Sequence, residues 1–541
     1  MKTLDKIRKI KFEILVALLF ILSRAPSLGH DNFNTDVWRW KARIYDFGGG
    51  LFGGQFEKTI QTYHPGVSLM IIGSASIKVY NLYYRVFTGS NPPNNELRTI
   101  FELDLVQKFF VVFATGVSIS FLFYALRKMF GVKTTFILIS VFSLEPFYIA
   151  LTKVLHLEGL MTTFMVVSFV WFYYYVNFQK GFKSLFVSGF FASLAVLTKS
   201  SSLMILPFVL FMLFVEVIFK KTTFKSMVSS YFRWFLIVLL WFVLLWPGMW
   251  VKPWEALSTY FTGIFTVGVE GGHDQIYFGS LTSDPGFTFY PVVLMYKTSL
   301  YLILGFIGWL FVKANISEDK KKFALYSLFF SFLYFIEISI PSKKLDRYIL
   351  PSIMGLSLAS SFFYDYLLTY LHEKFKKLAY LIFFLIFIPQ FILYLKIHPD
   401  YFSYYSVLGG GLKRGIFVLE PKWMIGVPEI ISYFNNIREQ GEYKTFENNE
   451  TLSKLLYSRR IDDKLTVAFP EKYYTQIWPF IREIKGWAVL ESLGPEAERA
   501  NFFVYPVWED TSSTKMKYNL KFEGTINIDS VPVYNVYKKE R

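Results

Sequence analysis

Two carboxylates and two groups of cations carry the chemical potential of this chain. Asp36 stands in Asp31-Asn-Phe-Asn-Thr-Asp36-Val-Trp, just beyond the first apolar run. A carboxylate there could take a proton from a hydroxyl; capping an interfacial helix, by Asp36 or Thr35, is an equally open use. Glu158 follows in His156-Leu-Glu158-Gly. Facing one cavity, the pair could position an acceptor hydroxyl or hold a divalent cation. A solvated loop acid is the plainer role for Glu158. The cations lie in Thr198-Lys199-Ser-Ser-Ser and in Ser342-Lys343-Lys344-Leu-Asp346-Arg347-Tyr348. Arginine forks onto phosphate oxygens and lysine supplies a point charge, so an anion site is one reading. Snorkelling toward lipid headgroups is the other. His273, in Gly271-Gly-His273-Asp274, could bind a phosphate or a metal. Thr62-Tyr63-His64-Pro65-Gly66, Phe289-Tyr290-Pro291 and Lys297 complete the set, and Glu145 before Pro146 marks a cavity or kink.

Those residues are separated by long apolar blocks. Of 541 residues, 53% are hydrophobic, 20% aromatic and only 18% charged, and none is cysteine. The mean hydropathy is +0.36. Disorder and a disulfide-stapled secreted domain are excluded on composition, and without cysteine there is no thiol catalysis or Cys-ligated zinc. The chain reads as a polytopic α-helical membrane protein. The net charge of +16 would suggest nucleic acid in a soluble domain, but here most cations punctuate apolar blocks and no nucleic-acid partner is expected.

A basic N-terminus and the run from Phe12 to about Ser23 give a first span, since Arg24-Ala-Pro is a poor cleavage site. Further blocks fall at 105–126, 134–153, 160–177, 184–198, 203–219, 232–249, 292–312, 323–341, 350–370 and 378–397, which makes about eleven spans. Residues 66–87 are long enough to cross but carry Lys78, Asn81 and Arg85. Read as an interfacial segment, they leave the basic clusters Arg127/Lys128/Lys133, Lys180/Lys183, Lys220/Lys221/Lys225, Lys313/Lys320–Lys322 and Lys374/Lys376/Lys377 all on the cytoplasmic side. The N-terminus is then cytoplasmic. The long loops 29–104 and 250–291, with everything beyond about 398, lie outside, and the protein is expected in the plasma (inner) membrane of the cell. Residues 1–400 form the membrane domain. Residues 401–541 form an extracytoplasmic domain whose core, 425–541, mixes helical signals at Pro428–Arg438 with β-like runs at Leu465–Phe469, Phe502–Pro506 and Val531–Tyr537. Asn449-Glu-Thr451 is a glycosylation triplet on that side.

In order, Asp36, Tyr63-His64-Pro65, Glu158, Leu197-Thr-Lys199-Ser, His273…Gly279, Phe289-Tyr290-Pro291…Lys297-Thr, Lys343/Lys344…Arg347-Tyr348…Pro351 and Tyr401…Tyr404-Tyr405…Gly409-Gly410 resemble the GT-C superfamily of membrane glycosyltransferases. The likeness is to the branch of protein O-mannosyltransferases (family 39) and the lipid A aminoarabinose transferase. Departures are clear: Val37 stands where that branch has a second acid, Gly66 where it has a second proline, and Glu158 where it usually has aspartate. The resemblance implies transfer of a monosaccharide from a polyprenyl-phosphate donor to a hydroxyl of a protein, lipid or glycan on the outer face, with inversion. It implies Asp36 as base and Glu158 as its catalytic companion. Lys199, Lys343, Lys344, Arg347, Tyr348 and His273 would hold the donor phosphate, and Tyr63, His64, Tyr290 and Lys297 would position donor or acceptor. No cofactor is required; a divalent metal is compatible with the two acids. The rival class is a transporter, flippase or glycan polymerase, but no inverted repeat is visible.

Overall fold

The computed structural model describes residues 10–93, 96–266, 272–446, 463–492, 494–509 and 517–540. The basic stretch before residue 10, Gly271 and the Asn449-Glu-Thr451 triplet lie outside these.

Each apolar block is helical, as hydrocarbon requires of a backbone whose polar groups must be satisfied internally. Among the described residues, six helices are long and apolar enough to cross a membrane, or seven if one bent pair counts as a span. The sequence reading of about eleven differs for physical reasons. The blocks 105–126 and 134–153 belong to one run, Leu97–Ser143, broken at Gly131, whose φ of 78° only glycine adopts freely. Its outer part continues as a separate helix, Pro146–Thr152, with proline at the helix start. Phe182–Thr198 has 17 residues and Lys11–Leu22 has 12, both short for a span. Leu350–Phe375 is long but buries Ser352, Ser357, Ser360, Ser361 and Asp365. The 292–312 block, read as one span, breaks into Phe289–Lys297 and Leu300–Val312, bent by 107°. Glu145 explains how that break is tolerated. Its carboxylate accepts from the Ser299 N–H and hydroxyl, both at 2.7 Å, at the start of the second helix, where bare N–H groups favour a negative partner.

Leu157–Asn177 lies at the centre, with 94% of its apolar window buried, whereas Leu378–Ile397 is peripheral at 17%. The ends of the bundle are chemically distinct. At one end gather the basic clusters with their acids: Arg127 on Glu13 at 2.6 Å, Lys320 on Asp365 at 2.6 Å, and Lys322 on Glu216 at 2.6 Å. At the other gather the loops assigned to the outer face. There Val37–Gly53 packs on Val67–Thr88, with Ser74 donating to the Ile44 carbonyl and Lys78 resting 4.7 Å from the Phe52 ring. Val67–Thr88 is not among the helices apolar enough to cross.

The C-terminal part builds a mixed sheet from β3 (Thr466–Phe469), β4 (Trp487–Leu490), β5 (Phe502–Pro506), β6 (Leu520–Ile528) and β7 (Val531–Lys539), in the order β4-β3-β5-β7-β6. The first two strands of the chain, β1 (Gln275–Tyr277) and β2 (Ser280–Thr282), form a small hairpin in the long 250–291 loop. Strand β3 runs parallel to β4 and β5, while β5–β7 and β6–β7 are antiparallel. The helix Glu471–Glu483 seats this part on the first outer loop. Trp38 donates to the Thr475 carbonyl at 2.7 Å and stacks on Trp478, and Phe33 packs on Phe480.

Candidate active site

Asp36 occupies the position before the Val37–Gly53 helix but makes no side-chain capping bond. Its carboxylate turns instead toward His156 Nε2 at 3.4 Å and Arg347 at 3.5 Å. Val37 is fully buried, so the adjacent position packs into the core and offers no second acid. That acid comes from the central helix. Glu158 is 1% exposed and is no solvated loop residue. One oxygen takes Lys199 Nζ at 2.9 Å and Arg347 Nε at 3.5 Å, and the other meets His156 Nδ1. His156 thereby bridges the two carboxylates through its two ring nitrogens. Three cationic side chains face two carboxylates in one buried cluster.

Each member is held by a different element. The turn between Phe182–Thr198 and Ser200–Met204 presents Lys199, whose ammonium sits 3.7 Å from the Tyr348 ring centre. The turn Asp346–Ile349 presents Arg347, with the Asp346 carboxylate accepting from the Arg347 backbone N–H. The first loop is tied to this framework where Gly66 N–H donates to the Thr198 carbonyl at 3.2 Å. Gly66 has φ +59°, and a Cβ there would lie 2.4 Å from the Trp40 ring. Proline cannot adopt that angle, so a second proline after Pro65 would not fit this turn.

The field inside the cluster follows from these contacts. Burial would raise the Asp36 carboxyl, but the His156 hydrogen bond and the charges of His156 and Arg347 outweigh it and hold the pKa well below the usual range. Burial would lower His156; Glu158 and Asp36 outweigh that and raise it. Arg347 is likewise raised, with Glu158, Tyr348 and Asp36 overcoming burial. His64 is half-buried, and desolvation with the nearby Lys199 charge lowers it to about 3, so it is neutral. Its Nδ1 has no hydrogen-bond partner among the described residues, and Tyr63 packs on the ring at 4.3 Å.

The other expected residues divide. Tyr348 lies in the cluster under Lys199, and Tyr290 is buried close to it. Lys343 is half-buried and near His64 and His273. His273 is exposed at the rim, its pKa lowered by burial and by Lys422, Lys343 and Arg347. Two lysines are engaged elsewhere. Lys344 pairs with Asp284 at 3.0 Å and donates to the Pro341 carbonyl at 2.7 Å, so it ties down the long outer loop rather than facing the cluster. Lys297 donates to the Phe402 and Tyr404 carbonyls, both at 3.1 Å, and holds the turn at 401–405. Among the described residues, no group of three or more His, Asp or Glu side chains is arranged to hold a metal ion.

Two residues join the site that sequence reasoning did not assign. His156 was visible only as a neighbour of Glu158. Trp423 comes from the loop leading into the C-terminal part, and nothing in the sequence links it to Arg347. Its indole lies 5.1 Å from the Arg347 guanidinium, 5.1 Å from the His156 ring and 4.9 Å from Phe402. Its Nε1 is buried without a hydrogen-bond partner among the described residues.

No family model and no curated protein matches the chain. Among solved structures it is similar to ArnT from Cupriavidus metallidurans bound to undecaprenyl phosphate, at 11% identity, 98% of each chain and a TM-score of 0.44. It is also similar to the oligosaccharyltransferase of Archaeoglobus fulgidus in the apo form, at 10% identity, 98% of this chain, 74% of that chain and a TM-score of 0.45. Likeness at this level assigns no activity.

Proposed function

We propose that the protein is a membrane glycosyltransferase that moves a monosaccharide from a polyprenyl-phosphate donor to an acceptor hydroxyl, with the clustered end facing outside the cell and the N-terminus in the cytoplasm. The observation that supports this most is the convergence of Asp36, His156, Glu158, Lys199 and Arg347 from separate segments into one buried cluster, in which Arg347 is shared between two acids. A shared buried cation can turn to an anion, and a phosphate monoester or diester matches the arginine fork.

In the proposed reaction the donor phosphate settles on Lys199 and Arg347, with Lys343 and His273 at the rim. Its lipid tail leaves along the Ser200–Ile218 and Glu318–Ser339 helices, whose Leu210, Phe214, Phe332 and Ile336 are exposed. Arg347 is shared between Asp36 and Glu158 in the free protein. Phosphate binding draws the guanidinium away from Asp36, and the Asp36 pKa rises toward that of a working base. Asp36 takes the acceptor proton as the hydroxyl oxygen attacks C1 of the sugar. The C1–O bond to phosphate breaks on the opposite side, which inverts the anomeric centre, and the cations stabilise the departing phosphate. Glu158 fixes Lys199, His156 and Arg347 in place.

The test is transfer of radiolabelled sugar from synthetic polyprenyl-phosphate donors in proteoliposomes carrying a membrane lipid and protein extract. Label moving to an acceptor in the native protein, and not in Asp36→Asn, supports the reading. No turnover of any donor by the native protein overturns it.

A further inference from the structure

A groove of about 880 Å³ lies between the second half of Leu97–Ser143, through Phe136 and Ile137, and Leu378–Ile397, through Phe383, Phe387 and Phe391. That volume is within the range of built ligand sites. The groove shares no lining residue with the charged cluster. The helix Pro146–Thr152 and the turn Tyr401–Ser403 stand between them: Ile149 and Tyr401 line the groove, whereas Phe147 and Phe402 face Arg347 and Trp423. Its outer wall is uncovered, with Phe384, Phe391 and Leu395 63%, 60% and 64% exposed. Set in a bilayer, such a wall is filled by hydrocarbon.

One end of the groove is different. Ser23, His398 and Tyr401 line it, and Ser27 Oγ lies 3.2 Å from His398 Nε2. Directly behind is Arg24, fully buried. Its guanidinium meets only neutral groups: Ser23 Oγ at 2.7 Å, Thr152 Oγ1 at 3.4 Å and the Ser143 carbonyl. No carboxylate among the described residues pairs with it. Nearby, Lys153 donates to the Pro26 carbonyl at 2.9 Å and reaches Asp31 at 3.7 Å; Lys108 bridges Asp31 and Asp104, which also holds Lys41. The remaining acid, Glu145, lines the groove with Ser299 and is turned onto it, both carboxylate oxygens accepting from Ser299. Four cations (Arg24, Lys41, Lys108, Lys153) thus face three carboxylates (Asp31, Asp104, Glu145), and the unmatched charge lies at the polar end of an apolar trough.

We propose that this groove binds an anionic glycerophospholipid, with an acyl chain against Phe383, Phe387 and Phe391 and its phosphate among Ser23, His398 and Tyr401. Arg24 supplies the field that selects a negative headgroup, and the uncovered phenylalanines accept the chain. The site is separate from the one proposed for the sugar donor, whose phosphate ligands lie across Pro146–Thr152.

Photolabelling of the full-length protein in phosphatidylcholine vesicles tests this without any activity assay. The probes are phosphatidylglycerol and phosphatidylcholine, each with a diazirine on the acyl chain. The phosphatidylglycerol probe should label residues 378–401 about fivefold more strongly than the phosphatidylcholine probe, the preference one basic residue confers on an anionic lipid. Arg24→Gln should bring that ratio to about one, and Phe387→Trp, which fills the trough and keeps the charge, should cut labelling by both probes. Equal labelling by both probes in the native protein overturns the proposal, leaving only a hydrocarbon-filled groove. Competition by unlabelled polyprenyl phosphate also overturns it and gives the groove to the donor.

Discussion

The two ends of this bundle are both rich in charge, yet they use it differently. At the basic end, Glu13, Glu216 and Asp365 each take a partner from another helix, and Arg127, Lys322 and Lys320 keep 19%, 25% and 27% of their side chains exposed. Such pairs tie helices together, each buried acid held by a partly exposed cation. At the other end, Asp36 and Glu158 share His156, Lys199 and Arg347, and neither acid is paired one to one. A paired charge is finished; a shared one can be redistributed when a ligand arrives. That difference separates structural electrostatics from a site.

The contrast can be broken most sharply at Asp36. Asp36→Asn should lower transfer by roughly 10²–10⁴-fold, the usual share of a general base, with unchanged melting temperature; activity within threefold of native would remove Asp36 from the mechanism. Arg347→Lys keeps the charge and loses the fork, so the Kd for undecaprenyl phosphate should rise by about 10-fold or more. Removing the aromatic platform in Trp423→Ala should weaken the same binding by about 10-fold, the scale of a desolvated cation–π contact, and Trp423→Phe should recover most of it. Titration sharpens the picture further. His156 has a raised pKa, so its charge is fully present below the ordinary imidazole value of about 6.5 and is lost as the pH rises through the raised value. Phosphate affinity, and the stability that His156 lends the cluster, should fall over that upper window, and His156→Asn should flatten the fall. The smallest effect on transfer belongs to the basic end. Lys320→Met leaves the buried Asp365 carboxylate to the Thr134 hydroxyl and should cost about 3 kcal/mol, seen as a drop in melting temperature, with transfer per folded molecule unchanged. A loss of transfer there would erase the distinction between the ends.

Much of this was legible in the chain. Apolar blocks marked the helices, and strand-like runs at Leu465–Phe469, Phe502–Pro506 and Val531–Tyr537 coincide with β3, β5 and β7. Asp36, Glu158, Lys199 and Arg347 stood out because charge beside an apolar run needs a reason. What stayed hidden depends on contacts between distant segments. Glu145 read as a cavity or kink residue and does line a groove, but its bond to Ser299 was hidden, and the break at Thr298 has no glycine or internal proline to announce it. Lys344 looked like a phosphate ligand because Asp284 lay sixty residues away in sequence. Trp423 could not be placed at all, since indoles mark cores and interfaces equally.

The wide spacing of the cluster has a consequence in time. Asp36 leaves the ribosome about 310 residues before Arg347, an interval of roughly 15–60 s at ordinary rates of synthesis. For about the last 190 residues of that interval Asp36 and Glu158 have both been made and neither has its arginine. The half-built site then holds its two carboxylates with His156 and Lys199 alone, one cation short of the finished cluster. The arrival of the Asp346–Ile349 turn supplies that cation, so a chain stalled before that point should bind phosphate more weakly than the finished protein.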